Sequence, residues 1–409
     1  MTFGATKTPC SPIEDIADKG QQQTFLKTQG DQKLRQTITG NTMEMFTRVG
    51  VRPQSWLFLS PRKRGISAYI CPALPHLKWS LRYQHKMSTK PKILISHSEV
   101  PVSALDILKE KYELVFSPGI PRPSRQQLLK DAKGVVGILW CAKERIDKEF
   151  VEAAGDQLKV VGCMSAGYDN VDVPLLKSLN IKASNTPNVL NNAVAEIALG
   201  LLLATSRRLL EGYKAILSDQ WQTVRPVWMC GHGLNNSTVG IIGLGGIGYT
   251  IAKRVKAFEV SRVLYSGRSE KEEGKQIGAT FVPLDTLLRE SDFVIVACAL
   301  NNETKHLINK DTFQKMKPTS ILVNISRGGV VNQDDLVEAL RDRVIWGAGL
   351  DVMTPEPLPP DHPLTKLSNC VLSPHVGSAT NETRESMARL AAQNIYNALN
   401  DEELLTPIW

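Results

Sequence analysis

One run leaves this chain few folds to choose from: Thr238-Val239-Gly240-Ile241-Ile242-Gly243-Leu244-Gly245-Gly246-Ile247-Gly248. A short β-branched stretch leads into G-x-G-x-x-G, and Tyr249 to Arg254 continues with helical character. Gly243 suits a tight turn, Gly245 lets backbone approach a pyrophosphate, and Gly248 lets helix and strand pack closely. Ile247 and Gly246 would then sit in the first helical turn, whose free N–H groups and partial positive charge favour a phosphate. A bare glycine turn is the plain alternative. The strand before and the helix after favour a dinucleotide cradle.

Strand-like and helical stretches alternate on both sides of this run. Lys92–Ser96 reads as a buried strand, Val102–Tyr112 as a helix, and Leu114–Phe116, Val135–Leu139 and Lys159–Gly162 as further strands. A long Ala- and Leu-rich helix is expected from Asn192 to Ala215. A second series then places strands at Thr238–Ile242, Arg262–Tyr265, Phe293–Ala297, Ile321–Asn324 and Trp346–Leu350, followed by a last helix over Thr380–Leu399. Alternation at this pace predicts two α/β domains with parallel sheets covered on both faces. The expected boundaries are 92–190 for one domain, completed by the returning segment 381–409, and 191–380 for the dinucleotide-binding domain.

The chain carries a formal charge of +8, which invites a nucleic-acid reading. The charge is not spread over a folded face. Thr47 to Lys92 holds ten Lys/Arg and no acid, residues 1–46 balance, and the remainder is slightly acidic. Residues 1–91 therefore read as a disordered leader, with 45–90 resembling a mitochondrial transit segment in composition. The expected location is cytoplasmic, or mitochondrial if translation starts at Met43 or Met45; a start at Met87 would remove the basic stretch. Neither a nucleic-acid partner nor a membrane span is expected, since no apolar run approaches ~18 residues. The seven cysteines, Cys10, Cys71, Cys141, Cys163, Cys230, Cys298 and Cys370, are scattered and never form C-x-x-C. They read as reduced, buried small residues, and no metal site is expected.

Which dinucleotide is bound turns on the end of the second strand. An NAD site expects an acid about 20 residues after the loop, on the ribose 2′-OH. Here Leu264-Tyr265-Ser266-Gly267-Arg268-Ser269 has none. Arg268 can pair with a 2′-phosphate and Ser266 or Ser269 can hydrogen-bond to it, so NADPH/NADP+ is expected over NADH/NAD+. Three further residues follow later strands of the same series, where ligands of doubly wound sheets collect. Arg327, after Ile321–Asn324, offers a planar fork for a carboxylate and a charge to polarise a neighbouring carbonyl. His375, in Ser373-Pro374-His375-Val376-Gly377, can give and take a proton near neutral pH. Glu356, between Pro355 and Pro357, would favour the imidazolium if it met His375. Taken singly, each could be an ordinary surface or structural residue. Together they match hydride exchange at C2 of a small 2-keto/2-hydroxy acid.

The glycine loop, Asn324-Ile325-Ser326-Arg327-Gly328, Gly349-Leu350-Asp351-Val352 with Pro355-Glu356-Pro357, and Ser373 to Thr380 together resemble the D-isomer-specific 2-hydroxyacid dehydrogenase family. The similarity extends over about 92–409. Leu264–Arg268, Phe313–Lys317, Val331–Asp335 and Pro357-Leu358-Pro359 bring it nearest the animal branch that reduces glyoxylate and hydroxypyruvate. The resemblance implies a flavodoxin-like substrate domain and a Rossmann cofactor domain in a homodimer. It implies reduction of those keto acids to glycolate and D-glycerate. Arg327 would bind substrate, Glu356 would support His375, and His375 would be the general acid/base. Ile325, Ser326, Asp351 and Gly377 would adjoin the cofactor, with Asp351 at the nicotinamide amide. In Ser165-Ala166-Gly167-Tyr168-Asp169 the N–H groups of Ala166 and Gly167 would hold the substrate carboxylate.

Two departures stand out. Gly246 occupies a position that is often Arg in the family. Val224, shortly after Trp221, stands where close relatives carry a second Trp near the substrate pocket, and Trp140 could replace it from another loop or simply fill the core. A dinucleotide-sensing corepressor or scaffold of the same fold keeps similar Arg, Glu and His residues and is the alternative.

Overall fold

The computed structural model describes residues 90–409. All but the last two residues of the expected 1–91 leader, including the starts at Met43, Met45 and Met87 and the cysteines Cys10 and Cys71, lie outside the described residues.

Two parallel sheets form. The first holds β1 (Lys92–Ile95), β2 (Glu113–Phe116), β3 (Val135–Trp140), β4 (Val160–Cys163) and β5 (Lys182–Ser184), in the order β2-β1-β3-β4-β5. The second holds β6 (Thr238–Ile242), β7 (Arg262–Ser266), β8 (Thr280–Phe281), β9 (Phe293–Val296), β10 (Ile321–Asn324), β11 (Gly347–Leu350) and β12 (Cys370–Leu372), in the order β12-β11-β10-β9-β6-β7-β8. The strand order reverses at β1/β3 in the first sheet and at β6/β9 in the second, and such reversals open a crevice beyond the carboxyl ends of the strands.

Alternation along the strands decides which helices cover which face. Ile93 and Ile95 join a cluster with Leu108 and Ile395, whereas Leu94 joins Leu128, Phe150 and Leu176 on the opposite face. In the second sheet Val239, Ile241, Phe293 and Ile295 pack with Val194, Leu202 and Ile251, while Ile242, Val294 and Val296 pack with Leu287, Phe313 and Leu336. Each fully buried aliphatic side chain of this kind contributes roughly 1.5–3 kcal/mol in transfer free energy. The helix Asn381–Leu399 returns across the first sheet, and small residues beneath it allow this: a Cβ on Gly162 would stand 2.7 Å from Ile395 Cγ1. The chain then adds an isolated antiparallel bridge between Ser184 and Pro407.

The single long helix expected over 192–215 is two helices, Asn191–Ser206 and Leu209–Leu217. Arg208 between them has φ 55° and pairs with Glu211 at 2.6 Å, so a left-handed residue turns the chain there. The second helix leaves only Ala215 buried. The cysteine reading also needs correction. Cys163 and Cys370 are buried, but Cys230 is exposed, because its loop runs over the surface after that second helix. The Cys141 residue is exposed as a whole, yet its thiol faces Ser96 Oγ at 3.4 Å and burial pushes it up to about 11.

Candidate active site

The glycine loop forms the turn that its sequence requires. Gly243 has φ +97° and its N–H donates to Ser266 O at 2.8 Å, tying the ends of β6 and β7 together. A side chain on Gly248 would collide with Gly243 O, so this glycine sets how closely the helix Gly246–Val255 meets the strand. Gly245 differs: nothing lies within 4 Å of the Cβ it lacks. The helix carries no side-chain cap at Gly245, so the N–H groups of Gly246, Ile247 and Gly248 face outward without intrahelical acceptors. Open space over uncapped N–H groups fits a dinucleotide pyrophosphate. Gly246 carries a local reason for being glycine, since a Cβ there would stand 2.5 Å from Asn191 Nδ2 and 3.0 Å from Asn188 Oδ1. At the end of β7 Ser266 is buried, while Arg268 is exposed with no ion-pair partner among the described residues.

Glu356 and His375 meet beyond the ends of the adjacent strands β11 and β12. His375 Nδ1 and Glu356 Oε2 lie 2.8 Å apart, and Glu356 Oε1 accepts the Met353 N–H at 3.0 Å. Burial alone would raise the Glu356 carboxyl, but hydrogen bonds from His375, Lys143 and the Met353 N–H outweigh it and hold the group at about 2. Glu356 is therefore ionised at neutral pH and fixes the imidazole with Nε2 directed away from it. The backbone at His375 is left-handed, φ 57°, a conformation costing a non-glycine residue roughly 1–2 kcal/mol. Asp351, 2% exposed, braces this turn by accepting from Val376 N–H at 2.9 Å and Gly377 N–H at 2.8 Å. Its two carboxylate oxygens are thus engaged with the histidine loop.

Arg327 follows β10, where Asn324 fastens the loop: Asn324 Nδ2 donates to Arg327 O at 2.9 Å, and Ser326 N–H donates to Asn324 Oδ1 at 3.1 Å. Ile325 beside them is buried. The Arg327 guanidinium reaches the first sheet, with Nε on Asp169 Oδ1 at 2.8 Å, while Nη1 donates to Ser326 O at 2.9 Å. The third nitrogen, Nη2, lies against Gly167, where any side chain would collide with it. The 165–169 loop is braced in turn: Asn185 Nδ2 donates to Ala166 O and Ser165 Oγ to Gly167 O, both at 2.7 Å. The structure thus joins Ala166, Gly167 and Arg327 in one cluster and His375, Glu356, Asp351 and Gly377 in another, with both on the carboxyl side of the strands.

Three placements were not legible in advance. Lys143, in the loop after β3, makes an ion pair with Glu356. Asp169 takes Arg327. Arg384, on the last helix, is partly buried and lies within Coulombic reach of Asp351 and Cys141. Of the pocket aromatics, Trp140 is a core residue, 2% exposed and edge-on to Phe150 at 5.0 Å. Val224, at 85% exposure, and Trp221 stand on the surface loop after the helix Leu209–Leu217.

The family model for the D-isomer specific 2-hydroxyacid dehydrogenase, NAD binding domain, matches residues 199–377. The glyoxylate reductase/hydroxypyruvate reductase of Mus musculus is 48% identical over 281 residues, 68% of this chain and 86% of that protein. Its Homo sapiens counterpart is 47% identical over 285 residues, 69% of this chain and 87% of that protein. Among solved structures, an NADPH-dependent glyoxylate/hydroxypyruvate reductase from Sinorhizobium meliloti, in complex with NADP and malonate, matches with a TM-score of 0.69 at 33% identity. That match covers 78% of this chain and 97% of the other. The chain belongs to the D-isomer specific 2-hydroxyacid dehydrogenase family and is an NAD(P)-dependent oxidoreductase.

Proposed function

We propose that this chain reduces glyoxylate and hydroxypyruvate at C2, giving glycolate and D-glycerate, with NADPH as the preferred reductant. The observation that carries the reading is the 2.8 Å His375–Glu356 pair on the same side of the strands as Arg327 and the Ala166–Gly167 backbone. The names of the mouse and human relatives agree with the keto acids, and the Sinorhizobium protein's name agrees with NADPH.

The chain's own groups divide the work. The N–H groups of Ala166 and Gly167 and the Arg327 guanidinium hold the substrate carboxylate, and the arginine also polarises the C2 carbonyl. With Nε on Asp169 and Nη1 on Ser326 O, it is Nη2 that faces the loop. When bound, the reduced dinucleotide supplies the hydride that C2 accepts. His375 gives its Nε2 proton to the oxygen on C2, and Glu356 stabilises the imidazolium before transfer. Gly243, Gly245, Gly246, Ile247 and Gly248 would hold the pyrophosphate, Ser266 and Arg268 the 2′-phosphate, and Ile325, Ser326, Asp351, His375 and Gly377 the nicotinamide end. Residues 92–190 with 381–409 then serve the acid, and 191–380 serve the dinucleotide.

A homodimer accompanies this reading. Leu209, Tyr213, Ile216, Leu217, Trp221 and Val227 leave one face of the helix Leu209–Leu217 and its following loop apolar and exposed. A continuous patch of this kind on a helix is a usual mark of association. No helix among the described residues is long and apolar enough to cross a membrane. A cytoplasmic location is proposed, or a mitochondrial one if translation starts at Met43 or Met45.

Initial rates with glyoxylate, hydroxypyruvate and pyruvate, each with NADPH and NADH, test the assignment. NADPH should be preferred, and Arg268→Ala should lower kcat/KM for NADPH about tenfold while leaving NADH nearly unchanged. Faster turnover with NADH by the unaltered protein would refute the reading of Arg268.

A further inference from the structure

The acid–base pair is tied to both sheets. Glu356 Oε2 meets two donors, His375 Nδ1 from the second sheet and Lys143 Nζ from the loop after β3 in the first, 213 positions earlier. A carboxylate oxygen can accept from both, and the two donors then share its charge. An ammonium on it draws charge away from the imidazole, and both partners pull the carboxylate to one position. The other charges nearby are already engaged or turned elsewhere. Asp351 accepts from the Val376 and Gly377 N–H groups, and Arg327 pairs with Asp169. Arg384 from the last helix approaches Asp351 and Cys141, and is not among the groups acting on Glu356. Glu144, beside Lys143, keeps Oε2 buried with no hydrogen-bond partner among the described residues.

We propose that Lys143 is a positioning residue that acts across the cleft: seated on the Glu356 oxygen that also takes His375 Nδ1, it fixes the carboxylate and weakens its hold on the imidazolium proton. This rests on the reading of His375 as general acid. Keto-acid reduction consumes the His375 proton, so a looser hold favours the transfer itself. Removing Lys143 would tighten that hold again. The lysine side chain is half-exposed, and a surface pair of that sort is often energetically silent. Here the shared oxygen belongs to a catalytic pair, so any real coupling must appear in the titration of His375.

The test compares the unaltered protein, Lys143→Met and Lys143→Arg. The His375 ring is titrated by NMR, its signal assigned by its loss in His375→Gln. In Lys143→Met the midpoint should rise by about half a pH unit, and Lys143→Arg should return it. The alkaline limb of kcat/KM for glyoxylate reduction should move up by the same amount. At roughly 0.5 M salt the unaltered protein should approach Lys143→Met, because a half-exposed pair is screened. Coincident midpoints for the unaltered protein and Lys143→Met would overturn the proposal. A shifted midpoint in a protein that reduces no keto acid would instead support the Lys143 coupling and overturn the reaction assigned above.

Discussion

The glycine loop and the acid–base cluster stand on the same side of the second sheet but are built on opposite principles. The loop is made of backbone. The groups it offers to a ligand are the N–H groups of Gly246, Ile247 and Gly248, and six consecutive positions determine its shape. The side-chain site is made of two groups, Arg327 with Asp169 and Glu356 with His375 and Lys143, and each draws on residues from both sheets. A backbone site should fail through sterics and fail locally. A side-chain site should fail mainly through chemistry, with the fold losing at most the few degrees its ion pair contributes.

The largest expected effect probes the second half of that contrast. His375→Gln should lower kcat by about a thousandfold, while the dinucleotide dissociation constant, read by fluorescence titration, rises by no more than about tenfold because His375 borders only the nicotinamide end. A comparable loss of dinucleotide binding would mean that the two sites are not separable.

The next effect comes from two glycines three positions apart. Gly248→Ala must push a methyl into Gly243 O, so dinucleotide affinity should drop by about a hundredfold and the Tm should fall by several degrees. Gly245→Ala has open space, so its Tm should hardly move while affinity falls about tenfold, because the added methyl stands where the ligand approaches. Equal Tm values for the two variants would remove the distinction between packing glycine and ligand glycine.

The smallest effect is a pH dependence. Glu356 sits at about 2 in the folded protein, below the ordinary glutamate value of 4.5. A depressed carboxylate stabilises the fold fully above its unfolded value and loses that contribution as pH falls through the folded one. The term is at most about 3 kcal/mol. Glu356→Gln should therefore lower Tm by a few degrees at pH 7, and the gap to the unaltered protein should close between about pH 4.5 and 2. A gap that stays constant over this window would show that the pair adds no net stability.

The same contrast explains what could be read from the chain. The loop was legible because turn, approach and packing are encoded in neighbours, and the element order followed because periodicity is also local. Arg327, Glu356 and His375 were legible as single residues after strands. That Arg327 would lie on Gly167 and share Asp169 was not, because those partners are brought together only by the packed sheets. Lys143 carries no local mark at all: a lysine in a polar loop reads as solvated until the opposite sheet supplies Glu356. The break at Arg208 was missed for a different reason. Helical propensity continues through it, and the left-handed turn is held by the Arg208–Glu211 pair and the packing of the first helix alone.

The chain passes between the sheets twice, after β5 through Asn185–Leu190 and after β12 through Ser373–Thr380. Gly377 on the second passage approaches Val194 at the start of the helix that ends the first, with only 3.5 Å between Val194 Cγ2 and the place of the missing Cβ. Two covalent connections restrain sliding of one sheet past the other, so a hinge-like opening about them is the motion to expect. The groups proposed to react adjoin these connections: Asn185 Nδ2 donates a hydrogen bond to the Ala166 carbonyl, and His375 lies within the second connection. On the reading proposed above, such an opening would displace His375 and the 165–169 loop less than groups farther from the connections.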